Sequence, residues 1–372
     1  MKIFNILNKL FNKKKTNKSK KFLNSDKIDK SVKSDNLTTI ITSTESEDTF
    51  KIPPFQEIYA KAVFLNTHIK ASPLKESKDY ESYLVYECGI EDPRKYHEEL
   101  ISEGYFEKSN LKDILNNITV VNLKKWLSEL GQPVSGKKEI LIERLLSSTE
   151  EEVIYNYINI DRDAYSLSEK GKEFLKKYKA YIQIHDHPNW NITWEEFNEE
   201  KRKLHQINPA FTDNDVFWGI FNDRVRFDYR YAYYCMYELL AEEKNRSRTI
   251  EMLLRVVFID INCIEFFRGV HDENIFLDKL FTINERLNND IFVSPSIIKK
   301  IKPYKDVYDD KMVDRLYELE SSITLLSKEQ FLKFIYSVFD GTYNRDKLRE
   351  ELKESCNRLK NEILNLINEG KN

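Results

Sequence analysis

Nine glycines and nine prolines in 372 residues leave this chain short of turn-formers. Sheets and barrels need turn residues about every 8–12 positions, and that supply does not meet the need. Hydrophobic residues are 41% and aromatics 13%, with 21 Tyr and 22 Phe, enough to bury a large core. The expectation is an all-α, multi-helix chain with room for two or three domains.

The four cysteines, Cys88, Cys235, Cys263 and Cys356, form no CxxC pair and stand near no histidine at zinc-ligand spacing. They read as reduced, partly buried thiols of a cytoplasmic protein, with neither metal nor cofactor expected. No apolar run reaches about 18 residues, so no transmembrane helix is expected. No signal-peptide cleavage pattern follows the N-terminus.

Charge is unevenly spread. The formal net charge is −3, yet residues 1–21 hold eight lysines and no acid, which leaves −11 for the remainder. Contact with a polyanion is therefore local rather than spread over the whole surface.

Residues 1–50 read as a basic N-terminus and a disordered linker. Ile3, Phe4, Ile6, Leu7, Leu10 and Phe11 make a helical stripe, and Lys13 to Lys21 follow it. Such a segment either lies on an anionic membrane or partner, or stays a solvated end. Residues 22–50 carry few large apolar groups.

Pro53-Pro54 opens a helical segment, 51–110. Phe55, Ile58, Tyr59 and Ala62 share one helix face. Asp92-Pro93 starts a further helix, which Gly104 ends before Tyr105-Phe106.

The stretch 111–148 is the most informative. Thr119 is placed to cap a helix in which Leu123, Trp126, Leu127 and Leu130 fall at i, i+3, i+4 and i+7. Gly131 stops that helix, and Gln132-Pro133-Val134 link onward. Ser135 is expected to cap a second helix from Gly136 to about Leu146, burying Leu141, Ile142, Leu145 and Leu146. Lys137 and Lys138 then fall in its first turn, where cations oppose the macrodipole. Beside the backbone N–H groups of Ser135-Gly136 they would form an anion site. Lys124 and Lys125 lie off the apolar face, and Arg144 extends the patch.

These residues resemble the SAP family. The matching elements are Ile118-Thr119, Leu123-Lys124, the turn Gly131 to Lys138, and Leu141-Ile142-Glu143-Arg144-Leu145. The resemblance covers about 35 residues. It implies a helix–extended link–helix module that binds duplex DNA through its backbone, often AT-rich DNA. The residues to make that contact are Lys124, Lys125, Ser135, Gly136, Lys137, Lys138 and Arg144. Residues 111–148 hold six Lys or Arg against four Asp or Glu, a net of only +2, so binding would be weak and salt-sensitive. The alternative is a purely structural hairpin with solvated lysines.

Residues 149–206 read as connecting helices. Tyr165-Ser166-Leu167-Ser168-Glu169-Lys170-Gly171-Lys172-Glu173-Phe174-Leu175 resembles the helix start common in winged-helix proteins, with Ser168 as cap. Gly171 within the helix signals a close approach. Together with His185 to Trp190, Ile192 to Glu196 and Val216 to Asn222, the chain resembles SAP-domain proteins of phages and prophages of Gram-positive bacteria. That resemblance implies a setting rather than a mechanism. His185 and His187 make an H-x-H pair on an expected extended segment, but a metal needs a third ligand. They read as structural or surface histidines, and Thr193 to Glu196 as a capping box.

Residues 207–372 are expected to form a helical, tetratricopeptide-like interaction domain, although no 34-residue period is visible. A helix of about 214–243, broken near Asn222-Asp223, would bury Phe227, Tyr231, Tyr234, Cys235 and Leu239. A second, about 247–267, would bury Ile250, Leu253, Leu254, Val257 and Phe258. Tyr229, Tyr231, Tyr233 and Tyr234 would be shared between core and partner surface, or stack bases. Further helices are expected near 295–303, 308–320, 327–340 and 344–369. The last one docks on the domain or pairs with another copy.

No GxxxxGK[ST], HExxH or GxSxG appears. The leading expectation is a non-enzymatic DNA-binding adaptor with a protein partner or a second copy as its other contact. The alternative is a protein-interaction scaffold held at the membrane surface by its basic N-terminus.

Overall fold

The computed structural model describes residues 54–158, 164–270, 272–319 and 324–370. The expected N-terminal stripe, lysine run and linker lie outside the described residues, as do the side chains of Phe55 and Leu366. The fold is all-α, with 72% helix and 3% strand among the described residues. Among the described residues no helix is long and apolar enough to cross a membrane. The chain divides into two compact units at Asp213/Asn214.

In the first unit, α1 (Pro54–Thr67) is a central helix rather than a one-faced one. Tyr59, Ala60 and Ala62 to Leu65 are all buried. After β1 (Ser72–Pro73) comes α2 (Pro93–Ser102), where the Asp92 side chain accepts from Lys95 N and Pro93 takes the first helical position. Then follow β2 (Phe106–Lys108), α3 (Leu111–Asn117), α4 (Val120–Glu129), α5 (Lys138–Ser148) and α6 (Glu151–Ile158). The unit continues through β3 (Ala164–Leu167), α7 (Glu169–Lys177), α8 (Lys179–Asp186) and α9 (Trp194–Ile207).

The three strands form a small antiparallel sheet in the order β1-β3-β2, with Phe106 opposite Leu167 and Ser72 opposite Tyr165. Strands of two to four residues are too short to show an alternating pattern, so nothing in the composition announced them. The Tyr165-to-Gly171 segment straddles β3 and α7. Ser168 Oγ accepts from Gly171 N (3.2 Å) and donates to Gly104 O (2.6 Å). A Cβ at Gly171 would collide with the Tyr105 carbonyl oxygen, which is the close approach expected of that glycine.

The second unit holds α10 (Asp213–Arg224), α11 (Tyr229–Glu242), α12 (Arg246–Ile261), α13 (Glu273–Leu287), α14 (Pro295–Ile301), α15 (Lys311–Leu319), α16 (Lys328–Asp340) and α17 (Arg345–Gly370). Its core is built on α12, buried almost all round from Thr249 to Ile261. Two expectations need correction. Phe227 is 83% exposed, because the chain leaves the helix after Arg224 and resumes where Asp228 caps α11. The expected 247–267 helix ends at Ile261, since Cys263 adopts φ +53° before a single turn at Ile264–Phe267. On α11, Tyr229, Tyr233 and Tyr234 are half-buried against the core rather than standing free to stack. α17 docks on α13 of the same chain, burying Leu348, Leu352, Cys356 and Ile363.

Candidate nucleic-acid interface

Thr119 Oγ1 accepts the Asn122 amide (3.3 Å) and starts α4 as its sequence position requires. Leu123, Trp126 and Leu127 are buried, and Leu130 half so. Gly131 takes φ +68°, which lets Gln132 N return to Leu127 O (2.7 Å) and close the helix. Across the link, α5 answers with Leu141, Ile142 and Leu145. This core also takes in Leu111, Ile114 and Leu115 of α3, Ile154 of α6 and Ala164 of β3. The helix–link–helix is thus set into the first unit, with one side left outward.

The second helix starts later than its sequence suggested. Ser135 does not cap it. Gly136 adopts φ +129°, which turns the chain so that the residue before the first helical position is Lys137. Lys137 provides no side-chain cap, and Ser135 lies two residues before the cap position. A Cβ at Gly136 would press on Ile140 Cγ2 at 3.2 Å, so both its conformation and its space demand glycine.

Two of the expected phosphate contacts face inward. Lys138 Nζ donates to Asn116 O (2.6 Å), a carbonyl of the last turn of α3, where a cation is favourable. Arg144 Nη1 donates to Ser135 O (3.0 Å) and to Pro133 O. Its guanidinium ties the link to α5, so it is a positioning group rather than part of an open cationic face. Carbonyl oxygens that the link leaves unpaired in sequence are what draw it in. Lys124, Lys125 and Lys137 are exposed. Lys125 lies 4.0 Å from Glu129 in a solvent-screened pair of little energy. Between these lysines stand apolar side chains in the open: Val121 is 75% exposed, and Val134 and Ile140 are also outward. Glu139 in the first turn of α5 offsets part of the positive field.

The H-x-H pair is not extended as expected. His185 lies in the last turn of α8, and His187 is the residue that follows its end, at φ −118° and ψ 64°. His185 Nδ1 meets Glu87 Oε1 at 2.9 Å, and that carboxylate also accepts from Tyr59 OH. His187 stacks on Trp190 with ring centroids 4.2 Å apart. Among the described residues no three His, Cys, Asp or Glu side chains converge on a metal-sized site.

Sequence reasoning passed over a buried histidine pair. His68 and His97 sit 5.2 Å apart around Phe64, and His97 Nδ1 meets Tyr80 OH at 2.9 Å. The Nε2 atoms of both are buried without a protein partner. Burial pushes the His97 imidazole down to about 3 and lowers His68 as well. Two isolated histidines 29 positions apart carry no signal of this in the sequence.

No family model, no curated protein and no solved structure matches this chain.

Proposed function

We propose that the chain binds duplex DNA through the α4–link–α5 module, and that the second unit serves a protein partner or a second copy. The observation that carries this reading is the start of α5. A helix N-terminus offers its first amides to an acceptor, and a capping side chain there is worth about 1 kcal/mol. Here that cap is missing and a lysine stands in its place, at a further cost of a few tenths of a kcal/mol from the macrodipole. Exposed Lys137 stands at amides that a phosphate oxygen would satisfy, and Lys124 and Lys125 on α4 are exposed as well. A local departure from what favours folding is characteristic of binding sites.

Lysines and backbone amides read phosphate rather than base edges, so sequence preference is low and any AT-rich bias comes from groove shape. The module's net charge of +2 makes binding weak and salt-dependent. The role is that of a cytoplasmic adaptor rather than a catalyst. The phage or prophage setting follows from the resemblance of the chain to that group.

Fluorescence anisotropy on AT-rich and GC-rich duplexes at several salt concentrations tests the reading. Wild type should bind with a steep log–log salt slope. Lys124→Glu/Lys125→Glu/Lys137→Glu should flatten that slope by about 2.7. Lys138→Met, whose ammonium is held by Asn116 O, should leave the slope nearly unchanged. Absence of binding at low salt, or a slope untouched by the triple change, defeats the proposal.

A further inference from the structure

The second unit contains a small cleft between α11, α12 and α15, with a volume of about 110 Å³. Tyr229 and Tyr233 form one wall, Phe258 and Ile259 the floor, and Leu316 and Leu319 the rim. Leu319 is 65% exposed, so the mouth opens to solvent. Arg255 is the charged group in the cleft, half-buried, with its guanidinium 5.2 Å from the centre of the Tyr233 ring.

The charges around Arg255 do not balance. Its Nε is buried with no hydrogen-bond partner. The carboxylate near it is Glu251, whose Oε1 stands 3.8 Å from Nη2, an ion pair without a hydrogen bond. That same Oε1 lies 3.3 Å from Arg315 Nε. Among the described residues one carboxylate therefore serves two guanidiniums, and this group of charges is one negative charge short. The neighbouring Arg230 offers no relief, because it is matched in both its bonds by Asp260, at 2.7 and 2.8 Å. A half-buried guanidinium with an unpaired donor normally costs stability unless an acceptor is supplied.

We infer that this cleft receives a glutamate side chain of a partner polypeptide. Its carboxylate would accept from the Arg255 guanidinium, whose planar N–H groups suit carboxylate oxygens. Its methylenes would lie against Phe258, Ile259 and Leu316. Small-molecule sites run from about 300 Å³ upward, so this volume suits a single side chain and not a nucleotide. The inference is independent of the DNA reading, since it uses the other unit and other residues.

The test follows the arginine Nε–Hε signals of the full-length, ¹⁵N-labelled chain by NMR, the Arg255 signal being the one lost in Arg255→Lys. Glutarate and a capped glutamyl peptide are the probes, with glutaramide as the neutral isostere. A saturable shift of the Arg255 signal with both carboxylates, and none with glutaramide, is expected. Arg255→Lys should weaken binding of the capped peptide about tenfold, followed on its own signals, with an unchanged melting curve as the folding control. Glu251→Gln should tighten binding several-fold, because it removes the internal competitor for Arg255. A shift with inorganic phosphate but not with glutarate would overturn the carboxylate assignment. So would an equal response to glutaramide, or no shift with glutarate at all.

Discussion

The α4–α5 pair and the α11–α12 pair are each two helices in succession, and they differ most in what joins them. Three residues, Glu243 to Asn245, connect α11 to α12, with Lys244 at φ +58°. Asn245 caps the second helix by accepting from Arg248 N, and its carbonyl takes the Thr249 hydroxyl at 2.7 Å. α12 is then buried along nearly its whole length. In the other pair an eight-residue stretch, 130–137, separates the helices, and most of it is exposed. The second helix begins uncapped and buries only Leu141, Ile142 and Leu145. One junction satisfies its own amides and serves the core. The other leaves amides and lysines outward, so a ligand has something to satisfy.

The largest test of this contrast is in the core. Phe258→Ala should cost about 3–5 kcal/mol, because a fully buried ring on α12 leaves a cavity its neighbours cannot close. Leu145→Ala on α5 should fall toward the lower end of about 2–5 kcal/mol, since that helix has an open side into which the site can relax. Urea denaturation of both variants decides it, and equal losses would erase the distinction drawn between the two pairs.

Gly171→Ala tests the frame that carries the α4–α5 pair. The added methyl meets the Tyr105 carbonyl, so a loss of about 1–3 kcal/mol is expected in the first unit. Hydrogen exchange should show the loosening around β3 and α7, with α12 unaffected. Exchange that rises equally in both units would deny the two units independent stability.

Acid should separate the units as well. His68 and His97 titrate lower in the folded first unit than in an unfolded chain, since burial disfavours their charged forms. The unfolded state therefore binds more protons below about pH 6.5, and stability falls as pH drops through that value. For His97 each pH unit removes up to about 1.4 kcal/mol, until the folded value of about 3 is reached. Denaturation at pH 7 and pH 5 should differ by about 2 kcal/mol for the first unit from His97 alone, with His68 adding in the same direction. His68→Phe/His97→Phe should flatten that dependence, and an unchanged profile would remove the pair from the account.

The smallest effect is the most diagnostic of the junction itself. Lys137→Asp should gain about 1 kcal/mol, by capping α5 and complementing its dipole, while weakening binding to duplex DNA. A gain in melting temperature with unchanged anisotropy would make the missing cap an accident rather than a binding feature.

Periodicity determined much of this protein. The 3.6-residue spacing of Leu123, Trp126, Leu127, Ile250, Leu253 and Leu254 prescribes which faces are buried, because a helix displays its side chains whatever it packs against. Caps such as Thr119 and Ser168 were equally legible, since a cap involves only a few consecutive residues. Phe227, Ser135 and Cys263 were misread for a complementary reason. A break of one to four residues changes which way a side chain points, and no local pattern marks where the chain will bend.

What only the tertiary structure decided are the groups that meet across long separations. Lys138 is drawn to Asn116 and Arg144 to the link carbonyls, so two lysine- or arginine-type candidates became internal ties. β2 found β3 some sixty residues on, His68 met His97 around Phe64, and Arg255 and Arg315 came to share Glu251. Sequence sets the periodic faces because they depend on neighbours along the chain. Pairing of charges and orphaned donors depends on neighbours in space, and packing alone settles which of them are left for a partner.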